Sequence, residues 1–251
     1  MDELRFDGQA VIVTGGCRGI GLGIARRFAE AGADVLVCCR REPESLPDGV
    51  VFFAADVREP DQVDAVLANC MERFGRVDVL VNNAGGSPPS DSATASPRFT
   101  AGIIAINLTA AIVFSQRASA LMQSQAQGGT IVNIASVSGT RPSPETLAYG
   151  AAKAGLLNAT KTMAVEFAPK VRVNAVVAGL VITEQAHLWY GDDAGIVAVG
   201  ATVPIGRMAD VTDVADVCLF LASRYARYVS GAEILVHGGG EKPAFIDSDK
   251  R

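Results

Sequence analysis

Short apolar runs rich in valine and isoleucine recur along the chain at residues 10–14, 34–38, 50–54, 78–81, 130–135, 171–177 and 233–236. They do not alternate with polar positions, which suits parallel strands covered on both faces. Helical stripes lie between them. In 60–74, Val63, Val66, Leu67, Cys70, Met71 and Phe74 share one face, Pro60 fits the first turn, and Gly75 fits the position after the last. In 212–222, Val214, Val217, Cys218 and Leu221 form a second stripe. Segment 146–168, rich in Ala and Leu, also reads as a helix. This alternation predicts one α/β domain over residues 1–251, a doubly wound parallel sheet of about seven strands with helices on both faces. Ligands of such sheets sit beyond the carboxyl ends of the strands.

Two segments break the rhythm. Residues 85–100 are rich in Ser, Pro and Ala, and residues 180–204 contain His187, Leu188, Trp189, Tyr190 and Ile196. Long irregular stretches in a compact domain are usually functional, so 180–204 is expected to be a substrate lid. Its apolar residues fit either a pocket lining or packing of the lid onto the body. The polar tail, 242–251, is expected to fray.

Composition removes several classes of function. The 251 residues are 49% hydrophobic and 20% charged, enough for one sizeable core. No apolar run reaches the roughly 18 residues of a membrane span, and the N-terminus lacks the pattern of a signal peptide, so a cytoplasmic protein is expected. A net charge of −5 argues against a nucleic-acid partner. The five cysteines (Cys17, Cys38, Cys39, Cys70 and Cys218) include no C-x-x-C pair and are expected to be reduced core thiols. The two histidines, His187 and His237, are far apart, and no cluster has zinc-like spacing, so no catalytic metal is expected.

The chemistry-bearing residues fall where strands end. After the first run comes Gly15-Gly16-Cys17-Arg18-Gly19-Ile20-Gly21, then a helical stripe of Ile20, Ile24 and Phe28. Glycines at G-x-x-x-G-x-G spacing between a strand and a helix let the backbone approach a pyrophosphate at the helix N-terminus. Tyr149 and Lys153 are four apart in a helical segment and share a face. An ammonium beside a phenol is expected to lower the phenol's pKa from about 10 towards the range useful in acid–base catalysis. Ser136 ends the fifth run, thirteen residues before Tyr149, on the ligand side.

Taken together these motifs resemble the short-chain dehydrogenase/reductase family, over about residues 6–240. The glycine turn matches the family's T-G-x-x-x-G-x-G, and Asn82-Asn83-Ala84-Gly85 matches its N-N-A-G. Asn107, Ser136, Tyr149 and Lys153 match its catalytic residues, and Asp56-Val57 matches its pair near the adenine. The resemblance implies a Rossmann-like fold and an NAD(P)-dependent enzyme acting on a ketone or secondary alcohol. Tyr149 would be general acid or base, Ser136 would polarise the carbonyl, Lys153 would tune Tyr149 and bond the nicotinamide ribose, and Asn107 would help hold a relay water. Gly15, Cys17, Arg18, Gly19, Ile20, Gly21, Arg40, Arg41, Asp56, Val57, Asn83, Ala84, Gly85, Gly179, Val181 and Thr183, with Tyr149 and Lys153, would hold the dinucleotide. It also implies a homo-oligomer, a dimer or tetramer, pairing through long helices at 100–125 and 146–168; Ala148, Ala151, Ala152 and Gly155 on the second would permit close approach, or equally suit packing on the sheet.

The chain departs from the family where Pro-Gly and V-D-G-G are common, with Ala178-Gly179 and Val236-His237-Gly238-Gly239. At the end of the second run, where NAD-using members carry an Asp for the ribose hydroxyls, stands Cys39, followed by Arg40 and Arg41. A thiol cannot replace that carboxylate, and a guanidinium fork suits a 2′-phosphate. With Arg18 in the glycine turn, this favours NADP(H) as cofactor, with NAD(H) as the alternative. A dinucleotide sensor without turnover is the remaining alternative, and it has no need of all four catalytic-type residues.

Overall fold

The apolar runs become strands because each is covered on both sides. The structure is a computed structural model describing residues 4–241. The expectation for the tail, 242–251, lies outside the described residues. The strands are β1 (Ala10–Thr14), β2 (Asp34–Cys39), β3 (Val50–Ala54), β4 (Val79–Asn82), β5 (Gly129–Ser136), β6 (Val171–Ala178) and β7 (Glu233–Val236). They form one sheet in the order β3-β2-β1-β4-β5-β6-β7, every pairing parallel. The order reverses between β1 and β4, the switch point where such sheets open a crevice. β1 and β4 are buried throughout, whereas the edge strands β3 and β7 are only partly covered.

Helices α1 (Gly19–Glu30), α2 (Pro60–Phe74), α3 (Pro97–Ile104), α4 (Ala110–Ser124), α5 (Leu147–Glu166), α6 (Ala186–Tyr190), α7 (Asp193–Thr202) and α8 (Val211–Ala222) connect the strands. One face of the sheet packs α1 and α8, with Phe28 set edge-on to Phe6 at 5.0 Å between ring centres. The other packs α2, α4 and α5 through Val63, Val66, Cys70, Phe114 and Met163. As expected, α2 starts with Pro60 in its first turn and ends at Gly75 in the left-handed conformation, φ +72°. The helix expected at 100–125 starts earlier, because Ser96 caps it by accepting from Phe99 N at 3.1 Å. It also carries a π-helical turn at Ala105–Thr109. Segment 180–204 is not a structureless loop. It folds into α6 and α7, the latter capped by Asp192, which accepts from Gly195 N at 3.0 Å.

A buried polar bridge ties the sheet to the α4–α5 layer behind the site. Asn82 Nδ2 donates to Asn133 Oδ1 and to Ser115 Oγ, each at 2.9 Å, and Asn133 Nδ2 donates to Thr160 Oγ1 at 2.9 Å. Every member is paired, so the bridge fixes α4 and α5 against β4 and β5 without an orphaned polar atom.

Candidate functional site

A cleft of about 1380 Å³ opens over the carboxyl ends of the strands. Every residue expected to bind the dinucleotide lines it, as do Ser136, Tyr149 and Lys153. Asn107 does not line it. It lies just behind the cleft wall, 1% exposed.

The floor at the first strand is built by glycine and one threonine. Gly15 and Gly19 have φ of +64° and +52°, and a Cβ on Gly21 would overlap the Asn83 amide. Thr14 Oγ1 accepts from both Asn83 N and Ala84 N at 2.9 Å, while Asn83 Nδ2 donates to Thr14 O at 2.9 Å. The β4 crossing is thus pinned to the glycine turn, and the asparagine side chain serves that turn first. The N-terminus of α1 already holds an anion. Gly19 N donates to the Glu184 carboxylate at 3.1 Å. A carboxylate in that seat stands in for a phosphate, so this backbone fits the pyrophosphate that the glycine spacing implies, once Glu184 moves aside. Glu184 was not legible beforehand, since nothing in its neighbourhood marks it as a partner of residue 19.

At the far end of the floor, Arg18, Arg40 and Arg41 line the cleft and are exposed. Asp56 is there too, but Arg58 occupies it, with Nε at 2.9 Å and a further contact from Nη2. That ion pair holds the Asp56 carboxyl below the usual carboxylate range, with a smaller contribution from Arg40. At the end of β2 itself stand Cys39 and Arg40, and the Asp56 carboxylate beyond β3 is taken by Arg58. Arg58, four guanidinium positions in all with the other three, was missed in the sequence.

The cysteine expectation is corrected here. Cys38, Cys70 and Cys218 are buried free thiols, and burial pushes Cys38 and Cys70 up to about 12. Cys17 and Cys39, however, are joined in a disulfide across the cleft floor. The glycine turn brings residue 17 over the end of β2, a proximity that no local spacing reveals.

The catalytic-type residues meet at the middle of the cleft. Ser136 ends β5 and Tyr149 and Lys153 share one face of α5. Lys153 is 4% exposed, and its Nζ donates to Ile134 O at 2.7 Å and lies 5.6 Å from the Tyr149 ring centre. The expected downward pull on Tyr149 by Lys153 does not dominate. Burial pushes the Tyr149 phenol up, and the contact that opposes it is a hydrogen bond with Ser136. The lysine is itself desolvated and brought down to about 8, which weakens it as a source of charge. Asn107 sits in the π-helical turn. Its Oδ1 accepts from Gly86 N at 2.8 Å, and its Nδ2 donates to Gly86 O and Ile103 O at 2.9 and 3.0 Å. Both amide donors are used on backbone, so the relay role expected of Asn107 cannot draw on them. What the side chain does is clamp Gly86 and, with it, the wall next to Gly85.

The substrate end is framed by Ser87, Pro88, Phe99, Ile103, Ser138 and Tyr190. Of the apolar residues expected there, Tyr190 lines the cleft, Leu188 is 78% exposed, Ile196 is half-buried, and the Trp189 side chain lies outside the described residues. His187 is exposed at the surface of α6, its Nδ1 against Gly191 O at 3.0 Å.

The family model described as enoyl-(acyl carrier protein) reductase matches residues 15–241. The chain is 35% identical to the 3-oxoacyl-(acyl-carrier-protein) reductase of Vibrio cholerae, over 94% of this chain and 98% of that one. It is 33% identical to the glucose 1-dehydrogenase of Gluconobacter oxydans, over 94% and 92%. Among solved structures, the ligand-free aldohexose dehydrogenase of Thermoplasma acidophilum superposes with a TM-score of 0.90 at 32% identity, covering 98% of both chains. The cleft over the switch point and these likenesses together identify the chain as a member of the short-chain dehydrogenase/reductase family, an oxidoreductase that uses a nicotinamide dinucleotide and acts on CH–OH groups.

Proposed function

We propose that this protein is an NADP(H)-dependent oxidoreductase of a ketone/secondary alcohol pair, with Tyr149 as the proton-transferring group. The observation that carries the reading is the meeting of Ser136, Tyr149 and Lys153 at one point of the cleft, beyond the ends of β5 and β6. When bound, the dinucleotide supplies or accepts the hydride. Ser136 donates a hydrogen bond to the substrate oxygen and orients it towards Tyr149. In reduction, Tyr149 gives its proton to that oxygen. Burial keeps the phenol protonated at neutral pH, which suits the acid role. Lys153, beside the ring, steadies the phenolate as the proton leaves. Asn107 holds Gly86 so that the wall facing this point keeps its shape.

Three guanidiniums at this rim, Cys39 at the end of β2, and an Asp56 already paired with Arg58 support NADP(H) over NAD(H). The test is a titration of the purified protein with NADPH and NADH, followed by nicotinamide fluorescence. NADPH is expected to bind more tightly. Arg40→Ala is expected to cost about 1.5–3 kcal/mol, or roughly 10- to 150-fold, in NADPH affinity, the value of a charge-assisted hydrogen bond. NADH affinity should hardly change. An equal loss for both nucleotides, or a preference for NADH in the unaltered protein, would overturn the NADP(H) reading.

The proposed partners are a small carbonyl or alcohol substrate and further copies of this chain. The most apolar 18 residues of the 97–124 helical stretch have a mean hydropathy of 1.6, yet only 33% of them are buried, and Leu147 and Val165 on α5 are 63% and 78% exposed. A dimer or tetramer pairing through α4 and α5 would cover that surface. Light scattering on the eluted protein reads this directly, and a monomer would refute it.

A further inference from the structure

The disulfide between Cys17 and Cys39 joins the glycine turn to the end of β2, with Cα atoms 6.5 Å apart. That spacing falls in the usual range of about 4.4–6.8 Å, so the backbone accepts both bonded and reduced states with little movement. Both residues line the nucleotide cleft and are half-buried, hence reachable from solvent. Each directly precedes a cleft arginine, Cys17 before Arg18 and Cys39 before Arg40. The other three cysteines are fully buried.

We propose that Cys17 and Cys39 form a reversible thiol–disulfide gate on nucleotide affinity: the cleft binds the dinucleotide more weakly when the pair is oxidised than when it is reduced. This rests on the family's nicotinamide dinucleotide and not on the choice between its two forms. In the oxidised state the bridge lays both sulfurs across the floor between the turn and the strand end. The adenosine ribose needs that floor, since it must lie between Arg18 and Arg40 for either to reach it. The bridge also ties the backbones of residues 17 and 39 together, so the two arginines cannot adjust around a ligand. In the reduced state the turn and the strand end are no longer tied, and the arginines that follow the two cysteines can settle on a ligand.

The exchange needs only a disulfide of low molecular mass, such as oxidised glutathione. The thiolate of one cysteine attacks a glutathione sulfur, forming a mixed disulfide and releasing one glutathione thiol. The second cysteine then attacks the protein-side sulfur, closing the Cys17–Cys39 bond and releasing the other. Two electrons pass from the cysteine pair to glutathione, and the two thiol protons appear on the two glutathione molecules. The rim of Arg18, Arg40 and Arg41 attracts such an anionic reagent to the cleft.

The experiment uses the full chain, incubated with oxidised glutathione or with dithiothreitol. Thiols are alkylated under denaturing conditions and counted by intact mass, and parallel samples are titrated with NADPH and NADH. Five alkylated thiols are expected after reductant and three after oxidant, with a Cys17–Cys39 linked peptide in the digest. The cross-linked protein should bind both nucleotides about tenfold or more weakly, as for the loss of one charge-assisted contact, and dithiothreitol should restore binding. Cys17→Ser should show one affinity in both conditions, whatever its absolute value. Five thiols after oxidant would overturn the site, and equal affinity of cross-linked and reduced protein would overturn the gate. If reduced protein binds neither nucleotide, the cofactor assignment falls and the gate falls with it.

Discussion

Tyr149→Phe is expected to lower kcat for a reducible ketone by about 100- to 10,000-fold, the usual worth of a positioned proton donor. Nucleotide affinity should stay close to that of the unaltered protein, because the ring and its packing remain. The size of the effect follows from where the phenol sits. It is the group hydrogen-bonded with Ser136 and flanked by Lys153 at the centre of the cleft, so no neighbouring side chain can supply the same proton. The pH dependence has a sign. Burial raises the phenol, so at neutral pH the residue carries its proton and reduction is ready to proceed. Alcohol oxidation needs the phenolate and should therefore rise with pH, while reduction should fall as the phenol ionises. Steady-state rates in both directions across pH test this. A Tyr149→Phe variant that keeps more than a tenth of its kcat would remove Tyr149 from the mechanism.

The sheet was legible because its strands are parallel and buried on both faces. That burial demands unbroken apolar runs, and those runs mark β1, β3 and β7 to the residue and each end of the other strands within one. Ser136 was placed at a strand end, and Tyr149 with Lys153 on one helix face, by the same periodicities. What escaped depends on contacts between distant segments. The π-helical turn under Asn107 has no local signature in AINLT, because an extra residue in a turn is stabilised by what its side chain grips, here Gly86. Glu184 at the N-terminus of α1 crosses 165 positions of sequence. The Cys17–Cys39 pair needs the β1–β2 register, with Thr14 opposite Cys38, before its two thiols become neighbours. Helix α6 is only five residues long, too short to show a stripe, and Gly195 and Gly200 dilute any stripe in α7, whereas capping by the Asp192 side chain suffices to start α7. The pKa of Tyr149 was misjudged for a related reason. Pairwise charge can be read from spacing, but desolvation cannot be read until the fold has covered both partners.

Lys153→Met is expected to abolish most turnover and to change how stability depends on pH. Lys153 is 4% exposed, its ammonium donates to the Ile134 carbonyl beside the Tyr149 ring, and burial brings its pKa from 10.5 to about 8. Below pH 8 the lysine is charged in both folded and unfolded chains, and folding carries the full desolvation cost. Between about 8 and 10.5 the folded protein has released the proton while the unfolded chain still holds it. Unfolding then takes up a proton, so stability rises with pH across that window and levels off above it. The gap from 10.5 to about 8 corresponds to about 3 kcal/mol. Methionine carries no such charge, so its stability lacks this rise. The carbonyl left without its donor costs the variant the same at every pH and does not alter the slope. The buried thiols Cys38 and Cys70, pushed up to about 12, act in the opposite direction at high pH but do so in both proteins and cancel in the difference. Urea unfolding at pH 7 and pH 10, without nucleotide, should therefore show the unaltered protein gaining most of that 3 kcal/mol relative to Lys153→Met. A difference that stays constant between the two pH values would mean that the ammonium is hydrated in the folded protein, and that Lys153 can steady the Tyr149 phenolate only as a solvated charge would.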